Sequence, residues 1–389
     1  MTAGTPDPVD GRIDRDPDGN PVGGLQEGAM SLVERLIPRT TDDDLVAALR
    51  LGQAELHSLG ITNWQDAIVT PGEEEVAYTE FAGHGELTGR VVGALWWERA
   101  RGAEQIDELV ERRARTAVGR YRPTSVKIMQ DGVLENFTGA VLEPYLGPDG
   151  LSTANRGLSQ VDPEALKGYV ARLDALGFQA HFHAIGERAV RESLDAVAAA
   201  RTANGGTDTR PHIAHIQVIH PDDVPRFREL GVVANAQPYW ACHDGQMDNL
   251  TIPFLGPERS TWQYPFRSLK AAGAMLAMGS DWSVSTANPL LEMEVAVNRV
   301  SDASRGEQPP FLPDERIELM DALAAFTAGS AWVNHLEREV GSLEVGKAAD
   351  LVVLDRDLFD RAAGAIGEAR VVGTFIDGQP VFEDPALDR

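Results

Sequence analysis

From residue 60 onward, short apolar runs rich in β-branched residues alternate with longer stretches of helical period. The runs fall at 60–63, 90–97, 125–130, 179–184, 212–217, 232–237 and 274–281. Most are near-continuously apolar, as parallel strands buried on both faces must be. Seven such runs separated by helices leave two architectures, a closed βα barrel or a doubly wound sheet.

The helices between the runs carry their own ends. Asp162-Pro163-Glu164 supplies an N-cap, a proline at N1 and an acidic first turn. Ala165, Leu166, Tyr169, Val170, Leu173 and Leu176 then form one apolar stripe, and Gly177 stops it. Pro221-Asp222-Asp223 opens another helix that Gly231 closes, and 40–59 and 313–333 behave likewise. Residues 1–24, punctuated by Asp18-Gly19-Asn20-Pro21, read as turn and loop. The tail differs. Runs at 351–354, 371–376 and 380–382, the last two joined by Asp377-Gly378, predict a strand and a β-hairpin. The expected organisation is a barrel over 1–339 and a β-sandwich segment over 340–389, too few strands to make a sheet core alone.

Charge and cysteine usage narrow the partners. Thirty-five Lys and Arg against 60 Asp and Glu give a net charge of −25, which argues against nucleic acid and anionic membrane. Cys242 is the sole cysteine, so no intramolecular disulfide forms and a reducing compartment is the simplest home. No apolar run approaches the roughly 18 residues of a membrane span, and the polar, acidic N-terminus lacks signal-peptide features. A cytoplasmic location is expected. No Gly-x-Gly-x-x-Gly follows any run, which disfavours a dinucleotide-binding protein.

Polar residues at the ends of the runs are the candidates for chemistry, because a parallel βα barrel works at that edge. Lys127 lies inside Val126-Lys127-Ile128-Met129. A buried lysine is costly and is usually paired or used; the alternative is a stem that snorkels to water. In His181-Phe182-His183 both imidazoles share one face of a strand, so both can meet one metal; the alternative is a pair of core histidines bonded to backbone. His212 and His215 lie three apart, so in an extended strand they face opposite sides and at most one is a ligand. Asp281 ends an apolar run, where an N-cap is the alternative. Lysine, histidine, histidine and aspartate thus end four different runs. The 32-residue step from His183 to His215 matches one βα unit of about 30 residues. Imidazole and carboxylate suit Zn²⁺ or a similar divalent ion.

The stretches Val126-Lys-Ile-Met-Gln-Asp-Gly132, His183-Ala-Ile-Gly-Glu-Arg-Ala-Val190, His215-Ile-Gln217, Gln237-Pro238, Gly279-Ser-Asp-Trp282 and Gly341-Ser-Leu-Glu-x-Gly-Lys-x-Ala-Asp350 resemble the amidohydrolase superfamily, and within it the amidohydrolase family 3 proteins of the YtcJ type. The resemblance runs over nearly the whole chain. It implies a (β/α)8 barrel with a β-sandwich built from both chain ends, and hydrolysis of amide C–N bonds with one or two divalent metals, Zn²⁺ foremost. Carried over by residue, Lys127 becomes the fourth-strand lysine, carbamylated in binuclear members. His183 and His215 become ligands of the second metal. Asp281 binds the first metal and acts as general base. Three departures accompany it. The family's opening HxH is absent from residues 1–125, where the only histidines are His57 and His84. Glu187 stands for the usual Asp after His183, which it can still orient. Ala214 stands for the usual Glu before His215.

Seven runs against the eight strands of a closed barrel imply a missing first strand, an open seam and a chain that begins inside the family's usual length. Weak or no turnover by this chain alone is the expectation. Tyr239, Trp240 and Trp282, at the ends of the last two runs, are candidates for an apolar substrate pocket; the alternative is loop aromatics covering the barrel top. Cys242 and His243 read as loop residues. The expected partner is a small amide, and an open barrel edge favours homo-oligomers. A deaminase or cyclic-amide hydrolase, and a non-catalytic remnant, are the alternative functions.

Overall fold

A computed structural model describes residues 1–360 and 365–385. Seven strands form one sheet: β3 (Asn63–Val69), β4 (Arg90–Trp96), β5 (Tyr121–Met129), β6 (Gln179–Ala184), β7 (His212–His215), β8 (Val233–Ala236) and β9 (Leu276–Met278). Every pair is parallel, and the strands lie side by side in strict chain order. A doubly wound sheet reverses its order at a switch point. This one does not, so it is the wall of a βα barrel. The two edge strands, β3 and β9, line one common cavity, so the sheet curls round on itself without closing.

Local sequence sets the elements between the strands. The carboxylate of Asp162 accepts from the backbone N–H groups of Glu164 (3.1 Å) and Ala165 (2.9 Å) and starts the helix Pro163–Ala175. Leu166, Val170 and Leu173 of its stripe are buried against the sheet. Gly177, at φ 73°, ends it in the left-handed region that only glycine enters freely. The long helix Asp42–Ser58 starts at a capping box between Thr41 and Asp44.

Three expectations need correction. The first sheet strand is not 60–63 but Asn63–Val69. Gly60, at φ 81°, turns the chain out of the preceding helix. The strand was hidden because Asn63, Gln65 and Asp66 break its apolar pattern. Each has a partner, and Gln65 Nε2 donates to the side-chain oxygens of Gln179 and Asn334, both at 3.1 Å. Residues 1–24 are not all loop. β1 (Gly11–Arg15) and β2 (Pro21–Glu27) form an antiparallel hairpin around the turn at Gly19. Its sequence has little β propensity, and side-chain bonds to the rest of the molecule hold it. Arg12 donates to the Asn136 carbonyl (2.7 Å), Arg99 pairs with Asp10 (2.7 Å), and Glu27 accepts from Thr138 (3.1 Å). Finally, 313–333 is not one helix. Residues 313–315 form a single 3-10 turn, and the helix begins at Leu319.

The tail forms a three-stranded antiparallel sheet of β10 (Leu351–Leu354), β11 (Val371–Ile376) and β12 (Gln379–Glu383). Asp377 and Gly378 both have positive φ, 50° and 76°, as a two-residue type I′ hairpin turn requires. Asp350 joins this sheet to the barrel. Its nearly buried carboxylate accepts from Arg90 (2.9 Å), from Asn63 Nδ2 (2.9 Å) and from the Asp377 N–H (3.0 Å). No helix among the described residues is long and apolar enough to cross a membrane. Asp350→Ala removes one of the three carboxylates around Arg90, leaving Asp377 and Glu339, and also the acceptor of Asn63 and of the Asp377 N–H, so we expect a loss of about 2 kcal/mol in urea unfolding. A loss under 1 kcal/mol would show that the joint carries no load.

Candidate functional site

Register builds the site. Lys127 on β5 pairs with His181 on β6, which pairs with His212 on β7. The three side chains therefore stand in one row inside the curl. Lys127 Nζ lies 3.2 Å from His181 Nε2, and the rings of His181 and His212 meet at a 37° tilt with centroids 4.0 Å apart. Lys127 is buried and does not snorkel to water. Burial lowers its ammonium to about 8, against an opposing pull from the Asp281 carboxylate.

A second row lies towards the C-terminal ends of the strands, where His183 and His215 touch with ring centroids 4.4 Å apart. His212 and His215 were expected on opposite faces. His215 instead closes β7 with φ 75°, and this left-handed turn brings its ring round to His183. Gln237 holds that turn by accepting the His215 N–H at 2.8 Å, and Trp240 stacks on the imidazole at 5.8 Å. Burial is the first cause that keeps both imidazoles neutral, driving His183 down to about 3 and His215 well below the usual histidine range. Asp281 follows β9 with φ 54° and lines the same cavity as Lys127 and His215. No helix starts at Asp281; the next begins at Pro289, capped by Asn288. Burial raises the Asp281 carboxyl, and Lys127 opposes the rise.

The carboxylate that addresses His183 is Asp131, not Glu187. Glu187 is fully buried, but it accepts the Leu142 N–H (3.0 Å) and faces Arg259 (3.6 Å). Asp131 lies 3.6 Å from His183 Nε2, which also lies 3.2 Å from the Gly132 carbonyl. Asp131 further accepts the backbone N–H groups of Ala140 (2.9 Å), Ile185 (3.0 Å) and Gly186 (2.9 Å). Burial pushes its carboxyl up to about 8, against those three donors. The chain can pass this closely only because of two glycines. A Cβ on Gly186 would meet the Ala140 carbonyl at 2.1 Å, and one on Gly132 would meet Glu27 Oε1 at 2.1 Å. Asp131, Gly132 and Gln237 all lie inside the quoted motifs. A carboxylate at a strand end beside a lysine was the signal for Asp131.

Of the aromatic residues, Trp282 is 45% exposed and lines the cavity. Trp240 covers His215, while Tyr239 turns its hydroxyl to Asp302 at 2.9 Å. Cys242 is buried, its thiol pushed up to about 12, and bonds the Tyr239 carbonyl; His243 pairs with Asp248. Both belong to the loop.

Among the described residues, no three His, Cys, Asp or Glu side chains converge closely enough to hold an ion as they stand. The donor chemistry nonetheless fits a divalent cation. Two neutral imidazoles are in contact, His183 has its Nε2 anchored by a carbonyl, and the buried Nδ1 of His215 has no partner. A ring held at one nitrogen by a carbonyl, as His183 is, is how proteins orient histidine towards metals, and His215 beside it keeps a buried lone nitrogen.

A sequential parallel βα wall with imidazoles, a lysine and an aspartate gathered inside its curl defines a βα-barrel protein with a polar site among its strands. The chain belongs to the amidohydrolase family, whose model matches residues 1–382. It is 27% identical over 392 residues, 98% of this chain and 70% of the other, to the putative amidohydrolase YtcJ of Bacillus subtilis. It is 27% identical over 389 residues, 98% of this chain and 69% of the other, to the N-substituted formamide deformylase of Arthrobacter pascens. An uncharacterised metal-dependent hydrolase from Pyrococcus furiosus superposes with a TM-score of 0.70 at 25% identity, over 91% of this chain and 68% of that one. The chain spans 64–70% of the length of three curated relatives that match 97–98% of it.

Two predictions follow from the electrostatics. Between pH 8 and the ordinary lysine value of 10.5, the unfolded chain binds a proton at Lys127 that the folded chain does not. Stability of the metal-free protein should therefore rise with pH across that window relative to Lys127→Met, by up to about 1.4 kcal/mol per pH unit. Parallel curves for the two proteins would show that Lys127 is not desolvated. Asp131→Asn turns an amide NH₂ towards backbone donors, and should cost about 2–3 kcal/mol in urea unfolding. A neutral substitution would contradict the three bonds.

Proposed function

We propose that this chain carries the site of a hydrolase for the C–N bond of a small, non-peptide amide, with Lys127, His183, His215 and Asp281 holding a divalent cation, zinc foremost. The contact of His183 with His215 carries this reading, because it joins two neutral imidazoles on neighbouring strand ends beside a cavity that Lys127 and Asp281 also line. A bound divalent cation would supply a water of pKa near 7 and polarise the scissile carbonyl. Asp281, partly desolvated with its carboxyl raised, is suited to take a proton from the attacking water at Oδ and return it to the leaving nitrogen. Asp131 and Gly132 orient His183, and Gln237 orients His215. The apolar cavity of about 910 Å³ and Trp282 on its wall suit an uncharged substrate. An N-substituted formamide, the substrate class that one relative's name states, is the first to try.

A second reading, a chain that folds without turnover, draws on the absence of any three converged donors among the described residues. One experiment separates the two. Purified protein is loaded with Zn²⁺, and amine release is followed from a panel of N-substituted formamides. The hydrolase reading expects wild type to exceed Asp281→Asn by at least about 10²-fold. Equal, background release by both would favour the second reading.

A further inference from the structure

At the N-terminal ends of the strands, away from the candidate site, three arginines line one small pocket. Arg90 opens β4, and Arg120 and Arg122 flank the first residue of β5. The pocket holds about 130 Å³, with Val92 and Leu336 on its wall. That is well above the roughly 15 Å³ that admits one water. Glu339 is the one carboxylate among the described residues that line it.

The guanidinium groups are fixed in place but keep donors to spare. Arg90 donates to Asp350 at 2.9 Å and to Asp377 at 2.6 Å, and Arg120 Nη2 donates to the other oxygen of Asp377. Neither aspartate lines the pocket, so both hold the guanidinium planes from outside it. Arg120 Nη1 is buried and has no partner among the described residues. An unpaired donor of a charged group is expensive in that position. Glu339 does not meet the demand. It lies 3.4 Å from Arg90 Nε and 3.4 and 3.5 Å from the two Nη atoms of Arg122. A well-made charge-assisted bond of this kind measures roughly 2.7–2.9 Å. Three cations thus share one loosely held carboxylate, in a chain whose net charge is −25.

We propose that this pocket binds a small tetrahedral oxyanion, inorganic phosphate or the phosphate group of a small monoester, which takes the free donor of Arg120 and displaces Glu339. Guanidinium forks match pairs of phosphate oxygens. Donors arriving from two strands suit an anion with acceptors in several directions, whereas a carboxylate offers them in one plane. The occupant would also brace the joint between barrel and C-terminal sheet, because Arg90 and Arg120 both hold Asp377 in the β11–β12 turn.

The test is independent of the hydrolase reading, since the pocket lies at the opposite strand ends from Lys127 and the readout is binding. The intact protein in chloride buffer is titrated calorimetrically with inorganic phosphate at constant ionic strength, and its melting temperature is followed in parallel. The proposal expects one saturable site per chain and a melting temperature that rises with phosphate. Arg120→Gln should abolish binding. Arg122→Gln should weaken it by about tenfold, as loss of a charge-assisted bond does. Glu339→Gln removes a competing negative charge and should tighten binding by about threefold. If Arg120→Gln fails to fold, the half-exposed pair Arg122 and Glu339 decides, because a purely structural role would not move phosphate affinity in opposite directions at the two positions. Methyl phosphate binding as tightly as phosphate would identify a phosphorylated small molecule as the occupant, and its exclusion would identify free phosphate. The proposal is overturned if no saturable binding is found, if chloride at equal ionic strength raises the melting temperature as much, if both mouth variants bind phosphate like wild type, or if Glu339→Gln weakens binding.

Discussion

One buried carboxylate holds the C-terminal edge of the sheet together. Asp131 binds backbone N–H groups from three places, the loop at Ala140 and the two residues that follow β6, and it faces the imidazole of His183. A carboxylate without water must find every partner in the protein, and these are the partners available. The loop after β5 is thereby fixed over the end of β6. Glu27 of the N-terminal hairpin then reaches Thr138 within that loop, so the hairpin depends on the same anchor. The glycines at 132 and 186 follow as consequences, because a Cβ on Gly186 would meet the Ala140 backbone and one on Gly132 would meet the side chains of Glu27 and Thr138.

How much of this the sequence discloses depends on whether a partner is local. Parallel strands β4 to β9 announce themselves because burial on both faces demands continuous apolar runs. The helix cap at Asp162 and the Asp377-Gly378 turn are also legible, since each acts within a few residues. β3 is not, because Gln65 answers to Gln179 and Asn334, more than a hundred residues away. The N-terminal hairpin escapes for the same reason, as its stabilising bonds run to Arg99 and Asn136. At the site, residue types and strand ends identify Lys127, His183, His215 and Asp281 as candidates. The orienting roles are less visible. Glu187 has the expected position in sequence, but its carboxylate turns to Leu142 and Arg259, and Asp131 takes the place beside His183. Strict strand alternation also misplaces His215, because one left-handed residue at a strand end reverses the face that spacing assigns.

The inner row shows what the sheet tolerates. His181 and His212 pack against each other beneath the candidate site with Nδ1 and Nε2, respectively, lacking partners, while Asn235 holds His212 at 3.1 Å. Unpaired polar atoms at that depth are expensive, and an apolar row would pack with less loss. The contact of His181 with Lys127 gives the row a role, because a neutral imidazole nitrogen can accept from the buried amine.

A single physical effect, desolvation by the surrounding protein, shifts all four candidate residues in a useful direction. Desolvation disfavours whichever form is charged. For His183 and His215 that means neutral rings with free lone pairs. For Lys127 it brings the amine to about 8, where the neutral form is accessible near physiological pH. For Asp281 it raises the carboxyl, and so makes its anion a better proton acceptor than a solvated aspartate. The lysine and aspartate restrain one another, since each charge favours the other's charged form. Opening the curl to water would relax all four shifts together. The gap between β3 and β9 is therefore an electrostatic matter as well as a structural one, because it opens on the cavity that Lys127, His215 and Asp281 line.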